Sequence, residues 1–485
     1  PLADAFYDSI PLILITGQIG TKDLQARKFV RQRGFQEVPT IDLVKKISKN
    51  QTLIKNLKDF EKKIQELINN ANSGRKGPVV IDFPMNIQRS TLSQKKTKIK
   101  KVKNISKKTN LKVLNNIHKN LIKSKKRLLL LGNGANDKKN FSLIKKLVLK
   151  YNFQVVTSLL GIGSYDTKKS NHHGYIGHTG HIAANFAAYT CDFLLVLGSR
   201  LDLRQTGTEV KNFCPEAFKV MVDVDKNELK NPRVGIDIKL NQSVNQFLKD
   251  FLKLNNKNSF FSKFDRSWFK FLKDKKNLSL EDEFKNKKFV CPKTVIKKIS
   301  DKFYYKKHSV VTGVGIHQQW AARHYNFNDK VSFLTSGGHG TMGYDIPSSI
   351  GASLKTKNPV ICFVGDGSIM MNIQELKTIS EKNLNIKIIL LNNSRLGIVS
   401  QFQIITFGKD PTTKKFKTPN FKILSKAFDI KYSKISNNRE INQKISNIDK
   451  FQGPELIEVK IDYKADVTPM LLAGSKMNEM WYSKY

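Results

Sequence analysis

Short apolar runs alternate with helix-length amphipathic stretches along most of this 485-residue chain. The apolar runs predict buried strands, and the stretches between them predict crossover helices. Parallel strands need about a dozen or more residues to cross over, so the alternation predicts an α/β fold with doubly wound parallel sheets. The clearest predicted strands are Leu12–Ile15, Val79–Phe83, Leu128–Leu131, Val155–Thr157, Phe193–Leu197 and Val220–Val224, and a long helix is predicted near Leu53–Asn70.

Lysine-dense segments divide the chain into three α/β units, because a run of like charge cannot bury itself. About three domains are expected at this length, each large enough for its own core. The predicted divisions are residues 1–94, a linker at 95–110, a central unit at 111–254, a linking segment at 255–289, a third unit at 290–470 and a tail at 471–485. Five aromatic residues predict that the linking segment packs on another element, namely Phe260, Phe261, Phe264, Trp268 and Phe271.

The net charge of +45 comes from 85 basic and 40 acidic residues. A charge of this size suggests nucleic acid or an anionic membrane as a partner when it is concentrated on one face. Here the basic residues are mostly lysines spread through the whole chain, without a basic stripe interleaved with aromatic residues for base stacking. Solvated surfaces are therefore favoured over a specific nucleic-acid partner.

Four scattered cysteines form no Cys-x-x-Cys pair, which favours a reducing compartment and argues against structural zinc. The sequence contains no run of 18 apolar residues, so no membrane span is predicted. No charged-then-apolar leader precedes the first predicted strand. We therefore expect a cytoplasmic protein without a membrane partner.

Residues 360–393 carry the pattern that indicates chemistry. An apolar run precedes Gly365-Asp366-Gly367, and a helix-length stretch leads to a second apolar run that ends in Asn392-Asn393. One strand-helix-strand unit of this kind puts Asp366 and Asn393 at the same carboxyl edge of neighbouring strands. A carboxylate and an amide oxygen suit Mg²⁺. The flanking glycines let a phosphate approach the backbone, and Ser368 would open the following helix with free amides.

Each half of this pattern also has an ordinary interpretation. Gly-Asp-Gly is typical of strand-to-helix turns, and Asn-Asn is typical of turns and helix caps. The two halves together, 27 positions apart within a strand-helix-strand pattern, favour a binding site.

The combined pattern resembles the diphosphate and metal motif of thiamin-diphosphate (ThDP) enzymes. The order of further segments resembles the acetolactate synthase group of these enzymes over essentially the whole chain. The resemblance implies a partial pyrimidine-binding domain, a central FAD-type domain and a diphosphate-binding domain, in that order. The segments that carry it are residues 9–18, 34–37, 161–165, 198–204, 313–318, 335–338 and 340–343.

The resemblance also implies roles for individual residues. The metal would be held by Asp366, the side-chain oxygen of Asn393 and the backbone carbonyl of Arg395. Candidate catalytic or substrate-side residues are Gln36, Phe35, Arg204 and Phe402, with Gln36 contributed across a dimer interface and Arg204 facing a substrate carboxylate. The cofactor-binding residues would be Gly315, His317, Gly340, Met342, Gly365, Gly367, Ser368, Gly397 and Ile398.

The implied activity is decarboxylation of a 2-oxo acid followed by carboligation, most simply pyruvate to 2-acetolactate. The implied cofactors are ThDP and Mg²⁺, while FAD binding stays open because the central fold also holds other nucleotides or none. A homodimer or homotetramer is expected, and a regulatory small subunit is a further expected partner.

Three departures from the family pattern leave alternatives open. Many of its members have Gln where this chain has Ile316 and Trp where it has Phe402, which favours a different second-substrate pocket. One alternative is therefore a ThDP-dependent lyase or carboligase acting on another carbonyl compound, such as a sugar-derived one in surface-polysaccharide synthesis. The segment that carries the family's catalytic glutamate is not in the sequence, so an N-terminally truncated chain is expected, with a non-catalytic homologue as the other alternative.

Overall fold

The computed structural model describes residues 1–25, 30–57, 60–91, 108–254, 264–278, 288–410 and 417–482. The described residues form two compact units. The first combines residues from 1–106 with 336–340, and the second combines residues from 107–335 with 341–485. Most of the lysine-rich segment 95–110 lies outside the described residues, as do Phe260 and Phe261.

The first unit has a three-stranded parallel sheet with strand order β1-β3-β2. A small core forms where Leu67 and Ala71 pack against Val79 and Ile81. The strands are β1 (Ile13–Gln18), β2 (Asn50–Leu53) and β3 (Val79–Pro84), and the helices are α1 (Leu2–Tyr7), α2 (Thr21–Gln25), α3 (Thr40–Val44), α4 (Phe60–Asn72) and α5 (Met85–Gln88).

The second unit contains two six-stranded parallel sheets, of which the central one comes first in the chain. Its strand order is β6-β5-β4-β7-β8-β9, so the order reverses between β4 and β7. The strands are β4 (Arg127–Leu131), β5 (Gln154–Thr157), β6 (His172–Tyr175), β7 (Phe193–Leu197), β8 (Phe218–Asp223) and β9 (Ile238–Asn241). The helices are α6 (Leu111–Lys123), α7 (Lys138–Tyr151), α8 (Ile182–Thr190), α9 (Leu203–Thr206), α10 (Lys226–Lys230), α11 (Val244–Leu252) and α12 (Arg266–Leu278).

The other sheet of the second unit has strand order β11-β10-β12-β13-β15-β14. Its strands are β10 (His308–Thr312), β11 (Val331–Thr335), β12 (Val360–Gly365), β13 (Ile386–Asn392), β14 (Lys431–Ile435) and β15 (Glu455–Lys460). Its helices are α13 (Pro292–Phe303), α14 (Ile316–His324), α15 (Asp345–Thr356), α16 (Glu375–Glu381), α17 (Gly397–Phe407), α18 (Phe421–Ala427) and α19 (Glu440–Ile445). A short antiparallel pair follows, β16 (Met470–Leu471) with β17 (Met480–Trp481).

Both large sheets are covered on both faces, which explains their continuous apolar strands. In β4, Leu129 and Leu131 belong to one hydrophobic cluster and Leu128 and Leu130 to another. Successive side chains of a strand point to opposite faces, so a strand covered on both sides must be apolar at every position. The predicted α/β fold with parallel sheets is confirmed, and the strand predicted at Phe193–Leu197 has those bounds.

The helix predicted near Leu53–Asn70 is partly wrong. Residues Asn50–Leu53 form β2, which pairs in parallel with β3, and the described helix is Phe60–Asn72. The four residues of β2 are mostly polar and only partly buried. These residues therefore form a strand because they pair with β3, and their sequence has no apolar pattern that predicts it.

The linking segment after residue 254 contains α12, which packs on α8. The indole nitrogen of Trp268 donates a hydrogen bond to Thr190 Oγ1 at 2.8 Å, and Phe271 makes an edge-on ring contact with Phe186. The prediction that this aromatic segment packs on another element is confirmed for these two residues. Among the described helices, none is long and apolar enough to cross a bilayer.

Candidate functional site

The site begins where two neighbouring strands end. Strands β12 and β13 run parallel, with Gly365 paired to Leu391. Asp366 follows β12 directly, and Asn393 follows β13 directly. Both residues therefore lie at the carboxyl edge of the same sheet, as the sequence predicts.

Asp366 is a buried carboxylate with an unused oxygen. Only 2% of the residue is exposed. One oxygen, Oδ1, accepts the amide proton of Gly367 at 3.0 Å, and Oδ2 has no hydrogen-bond partner among the described residues. Burial raises the pKa of Asp366 to about 7, against the lowering effect of the backbone amides of Ser394, Gly367 and Arg395. A carboxylate in this position favours a bound cation, because a buried charge is unfavourable without a partner.

The two adjacent asparagines make different contacts. Asn392 donates its amide to Glu458 Oε1 at 2.9 Å, and its own oxygen accepts from Ser394 N. Asn393 is only 4% exposed, and its Nδ2 has no partner in the part of the chain that the structure describes. Asn393, and not Asn392, therefore has an unpaired side-chain atom beside Asp366's loop.

Arg395 has the other predicted metal contact. Its guanidinium forms a buried ion pair with Asp466, with 3.0 Å between Nη1 and Oδ1. The side chain is thus engaged with Asp466, which is compatible with a metal contact through the backbone carbonyl only.

Glycines make room for His317 at the same edge. A Cβ atom at Gly365 would lie 2.8 Å from His317 Nδ1, and one at Gly315 would lie 3.0 Å from it. Gly315 also has a φ of +150°, which other residues rarely adopt, and it precedes α14. His317 is buried, its Nε2 has no partner among the described residues, and burial lowers its pKa to about 3. The neutral ring can therefore exchange one hydrogen bond with a ligand.

The turn after β12 is equally crowded. A Cβ atom at Gly367 would lie 2.5 Å from Leu396 Cδ2 and 3.8 Å from Met342 Cε. One at Gly397 would lie 3.1 Å from Ile316 and 3.2 Å from Asn393 Nδ2. Met342 and Gly397 are thereby brought to the turn that carries Asp366, and the next residue, Ile398, is partly buried on α17.

Asp345 is a further residue of this region that the sequence pattern does not reveal. It is fully buried at the start of α15, and its Oδ2 accepts the hydroxyl proton of Ser368 at 2.6 Å. The carboxylate is also close to the backbone of Gly313, where a Cβ would meet Oδ2 at 2.0 Å. Burial raises the pKa of Asp345 to about 6. The sequence marks Asp345 only as an acidic residue in the first turn of a helix. Such a residue indicates where a helix starts, and it does not indicate a buried partner for Ser368.

The prediction that Ser368 opens a helix needs correction. The residues after Ser368 form a short 3₁₀ turn, Ile369–Asn372, and the α-helix begins at Glu375. The crowded glycine turn is followed by this tighter winding, which leaves fewer amides in line than a regular helix start.

Other predicted residues lie elsewhere in the fold. Gly340 belongs to the first unit and has a φ of +82°. Its amide donates a hydrogen bond to Ser336 Oγ at 2.9 Å. Phe35 and Gln36 lie at the tip of a first-unit loop, with Phe35 89% exposed and Gln36 in the left-handed region with a φ of 60°. In the second unit Arg204 is exposed on α9, and Phe402 is 56% exposed on α17.

The predicted site residues that the structure places near one another thus all belong to the second unit. We call the following set the Asp366 site: Gly313, Gly315, His317, Met342, Asp345, Gly365, Asp366, Gly367, Ser368, Asn393, Arg395 and Gly397. Its buried, unpaired oxygen and nitrogen atoms and its glycine-lined backbone fit a divalent cation with a diphosphate.

Comparison with known proteins supports the same interpretation. Residues 313–459 match the family described as thiamine pyrophosphate enzyme, C-terminal TPP binding domain, and residues 114–251 match thiamine pyrophosphate enzyme, central domain. The first matched range contains every residue of the Asp366 site, and the second contains all six strands of the central sheet.

Curated relatives align over nearly the whole chain. The acetolactate synthase large subunit of Lactococcus lactis is 32% identical over 99% of this chain and 82% of its own length. The isozyme 2 large subunit of Escherichia coli is 31% identical over 99% of this chain and 84% of its own length. The chloroplastic enzyme of Arabidopsis thaliana is 32% identical over 99% and 72%, respectively. The chain is therefore a ThDP-dependent enzyme that belongs to the family of acetolactate synthase large subunits.

Proposed function

We propose that this enzyme uses ThDP and Mg²⁺ to decarboxylate a 2-oxo acid and join the remaining fragment to a second carbonyl compound, with pyruvate to 2-acetolactate as the simplest case. The observation that carries the proposal is the buried Asp366 carboxylate with an unpaired Oδ2 among the described residues, at the end of the strand that pairs with β13, which Asn393 follows directly. Mg²⁺ prefers hard oxygen ligands and keeps positions open for phosphate.

In this proposal Asp366, the Asn393 side chain and the Arg395 carbonyl hold the metal. His317 Nε2 and the backbone amides of Gly315 and Ser368 bind diphosphate oxygens, since amide groups at strand and helix ends favour anions. When bound, ThDP supplies the carbanion and the electron sink of the reaction.

The remaining residues orient the cofactor and the substrate. Met342, whose Cε is 3.8 Å from the Cβ position of Gly367, would pack against the cofactor beside this turn. Gly397 and Ile398 complete the cofactor contacts of the second unit that the family resemblance implies, while the implied contact of Gly340, which belongs to the first unit, stays a prediction. The family resemblance implies that Arg204, which is exposed, faces a substrate carboxylate, for which a guanidinium offers two parallel hydrogen bonds.

Adjacent asparagines provide a matched test. Asn393→Ala removes the proposed metal ligand, whereas Asn392→Ala removes the side-chain amide that donates to Glu458 and accepts from Ser394 N. Conversion of pyruvate to 2-acetolactate is measured with saturating ThDP over a Mg²⁺ titration. We expect Asn393→Ala to lower the apparent Mg²⁺ affinity by about tenfold or more, and Asn392→Ala to change it little. Equal behaviour of the two variants would contradict the assignment.

A second candidate function keeps the cofactors and changes the acceptor. Phe402 is half-exposed on α17, where an apolar wall without an indole donor suits a different carbonyl compound, such as a sugar-derived one. Parallel product assays with pyruvate alone, with 2-oxobutyrate and with hydroxylated aldehydes distinguish the candidates. Rapid formation of 2-acetolactate from pyruvate alone favours the first, and a slow reaction that a hydroxylated aldehyde accelerates favours the second.

We also propose the central sheet as the location of FAD, if the enzyme carries it. Strand order reverses between β4 and β7, and ligands of open parallel sheets bind at such a reversal. The loops after these strands approach closely, because a Cβ at Gly132 would lie 2.1 Å from the carbonyl oxygen of Gly198. Visible flavin absorbance of the purified protein that persists through gel filtration is the expected result, and a colourless protein that binds no added FAD would exclude it.

A homo-oligomer is proposed from the exposed loop tip of the first unit. The carboxylate of Glu37 accepts the amide protons of Arg33 and Gly34, and this turn holds Phe35 outward with 89% of it exposed. An aromatic side chain held in water by a fixed turn is typical of an interface. Sedimentation of wild type against Phe35→Asp is expected to reveal a dimer or tetramer that the substitution weakens; a regulatory small subunit would be a separate partner.

A further inference from the structure

Arg395 joins the proposed metal loop to two other segments through its side chain. The guanidinium is buried, and Nη1 donates hydrogen bonds to Asp466 Oδ1 at 3.0 Å and to the carbonyl oxygen of Tyr463 at 3.1 Å. Nε donates to Ser400 Oγ at 2.6 Å, and Ser400 in turn donates to Asp410. One planar side chain therefore connects the loop at 393–395, helix α17 and the segment 463–467.

Helix α17 is packed in the opposite sense to an ordinary amphipathic helix. Its buried residues include the polar Ser400 and Gln401, whereas the apolar Val399, Phe402 and Phe407 are exposed. Surface helices normally bury the apolar face and expose the polar one. Although Ile405 packs against the hydrophobic core, burial of apolar side chains alone therefore does not set the orientation of this helix.

Polar contacts with the segment 463–467 set it instead. Gln401 Nε2 donates to the carbonyl oxygen of Val467 at 2.8 Å, and Val467 N donates back to Gln401 Oε1 at 3.0 Å. Together with the ion pair between Arg395 and Asp466, these bonds fix both the loop before α17 and its first two turns. The exposed face that carries Phe402 points outward as a consequence.

Stability alone does not account for the buried ion pair. A buried pair of charges is weak evidence for stabilisation, because removing both charges from water offsets their attraction. In addition, Arg395 Nη2 has no hydrogen-bond partner in the described ranges, and an unsatisfied buried donor destabilises the folded state. The arrangement does fix the position of the loop at 393–395 relative to its partners, since a guanidinium donates hydrogen bonds in one plane with defined geometry.

We propose that Arg395 and Asp466 are positioning residues that hold the Asn393–Arg395 loop in the geometry needed to bind Mg²⁺ and that orient the face of α17 carrying Phe402. The inference rests on the proposed function, because it assumes that this loop binds the metal. Neither side chain contacts the metal or the cofactor; both act through the backbone of the loop and through Ser400.

The test measures how much Mg²⁺ is needed for ThDP binding, by titration calorimetry of the full chain at fixed ThDP. The variants are Asp466→Asn, which removes the charge with little change of shape, and Arg395→Lys, which keeps the charge but removes the planar guanidinium with its several donors. Loss of a group that orients a metal ligand typically weakens metal binding by about 10- to 100-fold, so we expect both variants to raise the Mg²⁺ midpoint by about tenfold or more.

Asp449→Asn is the matched control. Asp449 also forms an ion pair in this unit, with Lys306 at 2.7 Å, but on residues outside the Asp366 site. Loss of this more exposed ion pair outside the site should leave the Mg²⁺ midpoint unchanged, whereas a positioning role moves the midpoint of Asp466→Asn. Circular dichroism of each variant checks that it is folded.

Ser400→Ala keeps the test decisive if the charged variants do not fold. It removes only the hydroxyl that Arg395 Nε contacts, and we expect a rise of the Mg²⁺ midpoint of about threefold. A folded set of variants with the wild-type midpoint overturns the inference while leaving the proposed function intact. If wild type binds ThDP without any need for Mg²⁺, the metal assignment of the proposed function fails and the inference fails with it.

Discussion

Ser368 donates its hydroxyl proton to the buried carboxylate of Asp345 across 2.6 Å, and Ser368 Oγ also accepts the amide proton of Gly343 at 2.9 Å. A serine hydroxyl has one proton to donate. Because Asp345 receives it, Ser368 has only its backbone amide left for a diphosphate oxygen. The side chain of Ser368 therefore organises the backbone around the site and does not bind the anion itself.

Ser368→Ala is accordingly expected to affect stability more than cofactor affinity. It leaves Gly343 N–H without its acceptor and Asp345 with one donor fewer, which lowers the free energy of unfolding by about 1–3 kcal/mol. The backbone amide remains, so the dissociation constant of ThDP rises by less than about tenfold. Urea unfolding and calorimetry measure the two effects.

Ser349→Ala is the control for this prediction. Its hydroxyl is also fully buried but donates to the backbone carbonyl of Asp345, at 2.8 Å, and not to the carboxylate. We expect a smaller loss of about 0.5–1.5 kcal/mol and no change in ThDP binding. An abolished ThDP affinity in a stable Ser368→Ala protein would assign the hydroxyl to the diphosphate instead.

The contrast between Asp366 and Asp345 explains what the sequence could predict. Asp366 and Asn393 flank one strand-helix-strand unit, whose parallel pairing brings its two carboxyl ends together whatever the rest of the chain does. Asp345 contacts Ser368 across 23 positions that include a helix, a turn and a strand, so their contact depends on how α15 packs. Strand β2 escaped prediction for a related reason, since its polar residues become a strand only through β3.

Helix α17 is a second case in which packing overrides pattern. Its sequence is strongly apolar, and periodicity alone would place Phe402 and Phe407 in the core. The structure exposes both, because Ser400 and Gln401 bond to Arg395 and Val467 on the other side. Apolar periodicity indicates a buried face only where no polar network competes for it.

Asp366→Asn should raise the stability of the enzyme without ligands and lower the stabilisation, relative to wild type, that bound ThDP and Mg²⁺ provide. Without ligands the variant is expected to be more stable by about 1–3 kcal/mol, because a buried carboxylate with an unpaired oxygen is replaced by a neutral group. With Mg²⁺ and ThDP at about 100 times the wild-type dissociation constant, wild type gains about 2.7 kcal/mol, and the variant should lose this gain.

Thermal unfolding with and without both ligands, at pH 8, measures these shifts. That pH is above the pKa of about 7 of the buried carboxyl, so wild-type Asp366 is mainly ionised in the comparison. A variant that ThDP and Mg²⁺ stabilise as much as wild type would remove Asp366 from the proposed metal site.

Gly367→Ala tests whether the turn after β12 has room for a side chain. The added Cβ would lie 2.5 Å from Leu396 Cδ2, so Leu396 must move, and it adjoins Arg395 and Gly397. We expect a loss of about 1–3 kcal/mol in stability and weaker ThDP binding by about tenfold.

Gly351→Ala is the matched control in α15. Apart from the backbone of its own helix, no heavy atom of the described residues lies within 4 Å of the Cβ position at Gly351, and the residue is helical. Alanine there should stabilise the protein by about 0.5–1 kcal/mol and leave ThDP binding unchanged. Equal ThDP affinities for the two alanine variants would contradict the proposed role of the turn.

Phe402→Trp should alter the choice of acceptor without altering stability. The side chain is 56% exposed, and substitutions at such positions change the free energy of unfolding by about 0.5 kcal/mol or less. A larger ring with an indole donor changes the wall of the proposed acceptor pocket, so the product ratio from pyruvate and 2-oxobutyrate in competition should shift by about tenfold. Phe407→Trp, 67% exposed on the same helix, is the control, and an equal shift in both would indicate a general effect of α17.

Acid should destabilise the protein through its buried histidines, with His308 as the clearest case. Its Nδ1 contacts the carbonyl oxygen of Lys306 at 2.9 Å, and its Nε2 contacts the Tyr325 hydroxyl at 2.7 Å. The neutral ring satisfies both partners, donating to the carbonyl and accepting from the hydroxyl. Burial lowers the pKa of His308 to about 4, while the unfolded chain keeps a value of about 6.5.

The direction of the pH effect follows from these two pKa values. Above about pH 6.5 the ring is neutral in both states, and below it the unfolded state binds the proton more readily. The free energy of unfolding should therefore fall as the pH decreases from about 6.5 to about 4, by up to about 1.4 kcal/mol per pH unit from this group. Urea unfolding at pH 7, 6 and 5, compared with His308→Gln, isolates its share. The variant should have the shallower slope, because glutamine takes up no proton; identical slopes would mean that the pKa of His308 is the same in the folded and unfolded states.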